Sequence, residues 1–445
     1  MMMNEQFYYI RSSESNQTGN NKVLMWILFA LAFFSPMGLI KVNSFSVYNI
    51  LCILYLFLFF IQKKNTRVSL PRNYSILFLI VFLLLSTVLA FFWDNGGVWF
   101  KRALKGFIVF FIVVLVFSIN DSQGEIEKIN VYRKGLIWAC HVNITWAFLQ
   151  VICFTLTKFD LNSFVFGRLL HLANETTTFR GGIIMASGIH WHPGNLAPML
   201  IIAFLLVDKL WYRMFVVIVT IFTFNSTAMI GMLLTIAFIC LLEITGFLKK
   251  QGIKDDFSFK NSQLFMMMII VAITMTVIGL LWKIGLFDKF SFIIQGVIRK
   301  ITFSNNDTSA KTHLDYYINL FDVIKRSSVG QIVFGYGYGC SGYPFSAFYN
   351  QYTFLESWAV ESDVINTIIG FGVFATFFFY LWLFKIAKSG NRINKKYAII
   401  ILVFVAMGFG YNIQSDWLIL FEGMLMISIK KHVDFFAINK NSFLK

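Results

Sequence analysis

The sequence predicts an all-α integral membrane protein of about 12 transmembrane helices with one large loop outside the cytoplasm. Three observations predict it. Hydrophobic residues make up 58% of the 445-residue chain and charged residues only 13%, against roughly 25% charged in soluble domains. Apolar runs near the length that crosses a bilayer core recur along the chain. Basic residues gather in the short loops between alternate runs. A soluble chain of this size needs far more polar surface over its core, and lipid takes that role here.

The elements follow in order. A polar tail, 1–22, contains Glu5 and Glu14. No small-residue cleavage site follows the first apolar run, so that run is expected to stay as a helix rather than leave as a signal peptide. Spans are expected at 23–40, 45–62, 74–93, 103–119, 136–157, 183–207, 214–225, 227–246, 264–282, 363–384, 398–411 and 417–429. Nine of them fill 23–282, the large loop is 283–362, three fill 363–429, and 430–445 is a second tail. Only Asn225 and Ser226 separate the seventh and eighth, which form a tight hairpin or one long broken helix. The last two are short enough to tilt or be partly re-entrant.

Charge sets the orientation. With both termini inside, the inside segments hold 24 Lys and Arg and the outside segments 13, with Lys105 near the outer end of the fourth span completing the 38 of the chain. The positive-inside rule favours that arrangement. Because the cations sit in these loops, the net charge of +16 does not indicate nucleic acid. Two outside regions run against the rule. Segment 158–195 carries Arg168, His171, Arg180, His190 and His192. The large loop carries Lys283, Lys289, Arg299, Lys300, Lys311, Lys325 and Arg326. At about 80 residues it is far longer than an ordinary connection, and loops beyond about 60 residues escape the charge rule. Half of the outside charge lies there, which asks for a functional reason. No internal repeat of the secondary-transporter kind is present. Cys52, Cys140, Cys153 and Cys240 fall in or beside spans and Cys340 stands alone in the loop, so no disulfide framework is implied. No closely spaced Cys/His pairs suggest structural zinc.

Three constellations are candidates for chemistry. In TTTFRGGIIMASGIHWHPGNLAPML, Arg180 opens a span and His190, His192, Pro193 and Gly194 follow within three turns. A snorkelling Arg and a Pro-Gly kink account for part of this. Two His and a Trp beside them fit a lined cavity better. In NNDTSAKTHLDYYINLFDVIKRSSVGQIVFGYGYGCSGY, Leu314, Tyr317, Ile318, Phe321 and Ile324 recur at helical spacing. Lys311 and His313 stand near the start of that amphipathic helix, which suits a membrane surface. The plain alternative is a solvated face. The run GYGYG can bring backbone close to an anion, with Tyr336 and Tyr338 as candidate substrate contacts. In LESWAVESDVINTIIGFGVF, Glu356, Glu361 and Asp363 precede or open a span. Either the helix dipole favours acids there, or Glu361 is a general base at an outer mouth.

Taken together, these segments resemble the bacterial O-antigen polymerases, which share a superfamily with the O-antigen ligases. The resemblance covers about 175–375 and rests on the Arg-Gly…Pro segment at Arg180, the loop ending in Gly-x-Gly, and the Glu-Ser pair at Glu361. Lys311 stands where the family often has Arg, keeping a point charge without the bidentate fork. TFNSTAMIG replaces the Ser-Arg common at the seventh-to-eighth junction. The resemblance implies a glycosyltransferase C-like (GT-C) architecture with a periplasmic loop in the bacterial inner membrane. It implies undecaprenyl-pyrophosphate-linked glycans as donor and acceptor, and a chain-length regulator protein as a further partner. Glu361 is the expected base, with His313 and His192 in reserve. Arg180 is the expected phosphate clamp, with Lys311 or Arg299 as the second. Neither a metal nor a cofactor is expected. The ligase, with a lipid A core acceptor, and a flippase for the lipid-linked unit are the alternatives.

Overall fold

The computed structural model describes residues 19–37, 40–42, 45–62, 74–118, 125–171, 178–180, 183–190, 192–207, 209–249, 308–349, 360, 362–393 and 395–410. The described residues are overwhelmingly helical. The helices are α1 Gly19–Phe34, α2 Val47–Gln62, α3 Tyr74–Asp94, α4 Val98–Ser118, α5 Glu125–Thr157, α6 Pro193–Leu206, α7 Leu210–Phe222 and α8 Ser226–Lys249. They continue with α9 Thr308–Arg326, α10 Val329–Phe334, α11 Gly342–Tyr349, α12 Asp363–Ile393 and α13 Lys395–Met407. A π-helical stretch, Ser163–Leu169, follows α5. Two short antiparallel ladders complete the description: β1 Lys41–Val42 with β2 Phe45–Ser46, and β3 Phe179–Arg180 with β4 Ile183–Ile184.

This is a helical membrane protein by the composition of its helices and of its surface. Tyr74–Asp94 and Asn130–Thr157 are long and apolar enough to cross a membrane, as is Asp363–Lys388 by total length and composition, and five shorter apolar helices accompany them. Phe57, Phe92, Phe377 and Phe384 are 61%, 66%, 61% and 64% exposed. Such rows of Phe are an aggregation hazard in water and the natural outer surface of a bundle in lipid. The expected spans at 264–282 and 417–429 lie outside the described residues.

Two expectations are corrected. The sixth span was expected from 183, with Pro193–Gly194 as a kink. The helix begins instead at Pro193, whose missing N–H costs nothing at a first helical position, and His192 caps it: Nδ1 accepts from Gly194 N at 3.1 Å. Residues 185–190 before it are irregular. The tenth span, expected as one helix, is broken at Gly372 (φ 77°, ψ 171°) into two arms. Thr367 and Tyr380 would stand about 20 Å apart along a straight helix. Here they hydrogen-bond, and the rings of Phe371 and Phe379 are 5.8 Å apart, so the arms bend back sharply toward each other.

Between the expected seventh and eighth spans the helix is interrupted, α7 ending at Phe222 and α8 starting at Ser226. Phe224 takes a left-handed φ of 47°, and Asn225 Oδ1 accepts from Ala228 N at 3.1 Å to start α8. The second arm of α12 runs antiparallel to α3. Phe78 stacks on Phe378 at 4.9 Å, Phe82 on Phe374 at 5.4 Å, and Lys385 Nζ donates to Ser75 Oγ at 2.6 Å.

Candidate functional site

Two irregular segments enter the bundle, and each is held there by side chains that a purely structural helix has no need of. The first is the Gly-rich turn 335–341. Its amides reach the end of the first arm of α12: Tyr336 N donates to Ile369 O and Gly337 N to Gly370 O, both at 2.8 Å. Those carbonyls have no partner within their own helix. Trp99 Nε1 donates to Tyr336 O. Gly337 packs on Ala103 and Tyr338 on Gly106 of α4, while Ser86, midway along α3, donates to Gly335 O at 3.5 Å. The turn therefore sits about halfway down α3. Backbone at that depth is tolerated where protein surrounds it or it lines a cavity. Gly335, Gly337 and Gly339 have φ of 74°, 104° and 72°, a region that favours glycine.

Beside this turn lies a buried polar cluster at the head of α12. Asp363 is 5% exposed and is the one buried carboxylate among the described residues. Its N donates to Gly408 O at 2.7 Å, after α13. Ser362 Oγ and Tyr317 Oη of α9 are 2.9 Å apart, and Tyr317 Oη also donates to Phe409 O at 2.5 Å. Ser341 Oγ donates to Asn366 Oδ1 at 2.6 Å and accepts from Val360 N at 3.0 Å. Asp363 also lines a small cavity with Phe379, Tyr380, Leu383, Phe404 and Val405. Burial pushes the Tyr317 phenol above its usual range, and the Asp363 charge adds to the rise. That phenol is therefore a hydrogen-bond donor at neutral pH.

The second inserted segment is 185–190, packed on α5. Asn143 Oδ1 accepts from Ile189 N at 3.1 Å, and Gln150 Oε1 accepts from Ser187 N at 3.1 Å. Asn162 Nδ2 donates to Gly188 O at 3.0 Å and Oδ1 accepts from Trp146 Nε1 at 2.7 Å. Asn143, Gln150 and Asn162 are fully buried. His190 is 2% exposed, and its Nε2 has no partner among the described residues.

The sequence candidates fall into place unevenly. Arg180 pairs with Ile183 in the ladder that leads into 185–190. Lys311 and His313 lie on the first turns of α9. The side chains of these three are outside the described part. Glu361 and Arg299 lie outside the described residues, though Val360 and Ser362 on either side of Glu361 are tethered to Ser341 and Tyr317. His192 is exposed, and because its Nδ1 accepts the capping hydrogen bond, the neutral ring carries its proton on Nε2. Tyr336 is 3% exposed; its hydroxyl meets Ser327 Oγ at 2.8 Å and its ring lies 5.3 Å from Trp99. Tyr338 stacks on Phe371 at 5.3 Å. The two tyrosines build the walls of the turn.

Sequence reasoning passed over Asp363, which it noted only as a neighbour of Glu361. It also gave no role to Trp99 and Ala103 of α4, which pack on the Gly-rich turn. Among the described residues no three His, Cys, Asp or Glu side chains converge as metal ligands. No protein-family model matches the chain, and no curated protein matches it either.

Proposed function

We propose that this chain is an O-antigen polymerase, a glycosyltransferase of about 12 spans and GT-C-like architecture. It joins undecaprenyl-pyrophosphate-linked repeat units at the periplasmic face of the bacterial inner membrane. The observation that carries the reading is the buried Asp363 carboxylate at the place where the amphipathic helix, the Gly-rich turn and a broken helix meet. Transfer of a glycan from a lipid diphosphate to a sugar hydroxyl needs a carboxylate to take the hydroxyl proton. It also needs fixed donors and cations where the diphosphate leaves. An intramembrane carboxylate is costly and marks function more often than packing.

In this reading Glu361 takes the proton of the attacking hydroxyl, and Asp363, two residues further along the chain, shapes the field around it. Arg180, with Lys311 or Arg299, faces the diphosphate. Lipid-facing Phe and Leu accommodate the polyprenyl tails. The test is the cell-surface glycan of a strain lacking this chain. Single repeat units in place of a ladder, restored by the chain in trans, is the expected result. Loss of all surface repeat units points to a ligase or a flippase and overturns the polymerase reading.

A further inference from the structure

Helices α5 and α7 pack along a seam. The Phe148 ring lies 5.0 Å from that of Phe215 and 6.3 Å from that of Phe222, and His141 meets Tyr212 edge to face at 4.5 Å. The order of these pairs makes the two helices parallel. Both rise from loops that the charge reading places in the cytoplasm, so the His141 end of the seam is the inner one.

The borders of the seam are open. On α5, Lys134, Trp138, Thr145 and Leu149 stand at helical intervals from His141, on the same stripe, and all four are exposed. On α7, Trp211 and Ile218 flank Phe215 one turn to either side and are 65% and 43% exposed. At the inner mouth the two borders meet. The Trp138 ring stands edge to face 6.3 Å from His141, and Trp211 edge to face 5.7 Å from Tyr212. Lys209, exposed at the start of α7, is the cation whose charge reaches His141. Asp208, next to it in the chain, lies outside the described residues.

An exposed Trp at an interface and a cation in an inner loop are each ordinary. Two further features are not. His141 is half-buried in an apolar helix, and its ring makes no hydrogen bond among the described residues; an ionisable side chain there marks a site by default. Lys209 stands at a helix N-terminus with no acid in the first turn and no side-chain cap, the end that disfavours positive charge. Cations and a hydrogen-bonding ring over a Trp-rimmed, apolar seam match an anionic head on acyl chains. Basic sites between spans on the cytoplasmic side take such lipids.

We propose that the inner mouth of the α5–α7 seam binds an anionic phospholipid of the inner leaflet. Lys134 and Lys209 face its phosphate, His141 hydrogen-bonds its headgroup, and an acyl chain follows the seam past Leu149 and Ile218. The site does not depend on the glycosyl-transfer reading.

The test uses the full chain in phosphatidylcholine nanodiscs containing phosphatidylglycerol with a photoreactive diazirine beside its headgroup. Cross-links are expected in 134–141 and 209–214. Native mass spectrometry then compares retention of phosphatidylglycerol and phosphatidylcholine. Lys209→Gln should weaken retention of phosphatidylglycerol by about fivefold, and Lys134→Gln with Lys209→Gln by more. Lys134→Arg with Lys209→Arg keeps the charge and should bind as wild type. Lys158→Gln, which removes an exposed cation beyond the other end of α5, should do so too. Both target lysines are exposed, and a single eluting species checks that each variant folds. Cross-links confined to other peptides, or unchanged in the double Gln variant, overturn the site. Equal retention of the two lipids overturns the anionic assignment. Loss of binding in the Arg pair as well as the Gln pair overturns the role given to charge.

Discussion

Gly335 and Gly372 cross backbone to backbone, at φ 74° and 77°, and a methyl on either would overlap the amide nitrogen of the other. The crossing joins the Gly-rich turn to the break in α12. A left-handed φ alone costs a non-glycine residue roughly 1–2 kcal/mol, and overpacking a closed contact adds about 1–3 kcal/mol. Gly335→Ala and Gly372→Ala should each lower the melting temperature in detergent sharply or abolish the folded peak. Gly339→Ala, at φ 72° with open space around it, should bear only the conformational cost. Equal melting of all three would mean that the crossing is not a tight contact.

The insertion of 185–190 rests on Asn143 and Gln150. Asn143→Leu keeps the volume and removes the acceptor from Ile189 N. A buried unsatisfied N–H costs about 1–3 kcal/mol, so the variant should melt lower and expose the 185–190 amides to faster hydrogen exchange. Exchange that stays at the wild-type rate would move the anchor of this segment to Asn162 and Ser187.

Cys340 lies in the loop expected outside the cytoplasm, yet it is fully buried. Burial pushes its thiol up to about 12, Arg102 opposing the rise and Asp94 adding to it. Only the thiolate reacts, and at pH 8 a group with that pKa is ionised to roughly one part in 10⁴. Membrane-impermeant maleimide should therefore leave Cys340 unmodified in intact spheroplasts, with reactivity climbing about tenfold per pH unit as the folded protein is taken more alkaline. Lys325→Cys, exposed in the same loop, should label from outside, and a cysteine at position 252 only after lysis. Outside labelling of position 252 would reverse the topology.

The long apolar runs were legible because a 20-residue run has one use in a membrane. The amphipathic α9 was legible because Tyr317, Ile318, Phe321 and Ile324 keep its period. The breaks were not. GFG at 370–372 reads as an ordinary small-residue stretch of an apolar helix; only the partner, Gly335, shows that the chain must turn there. HPG at 192–194 carries the signals of a helix start as well as of a kink. The apolar residues before it concealed which one applied, because their burial comes from packing on α5 rather than from lying on a helix. Asp363 was passed over because a first-turn acid is common on exposed helices, and burial, which changes its meaning, depends on Gly408 and Tyr317 arriving from distant segments.

Glu361 and Asp363, two residues apart in the chain, separate cleanly by substitution. If Glu361 is the base, Glu361→Gln keeps the shape but cannot take the proton, and turnover should fall on the order of 10²–10⁴-fold. If it only favours a helix N-terminus, the effect is about 0.3–1 kcal/mol on stability and the glycan ladder stays long. Asp363→Asn keeps the backbone bond to Gly408 and removes the buried charge. As a neighbour of the base rather than the base itself, it should lower turnover less than Glu361→Gln. Ladder length at matched protein level reads both effects. A dead Asp363→Asn beside an active Glu361→Gln would make Asp363 the base. A long ladder from both would place proton transfer elsewhere, with His313 and His192 the next side chains to replace.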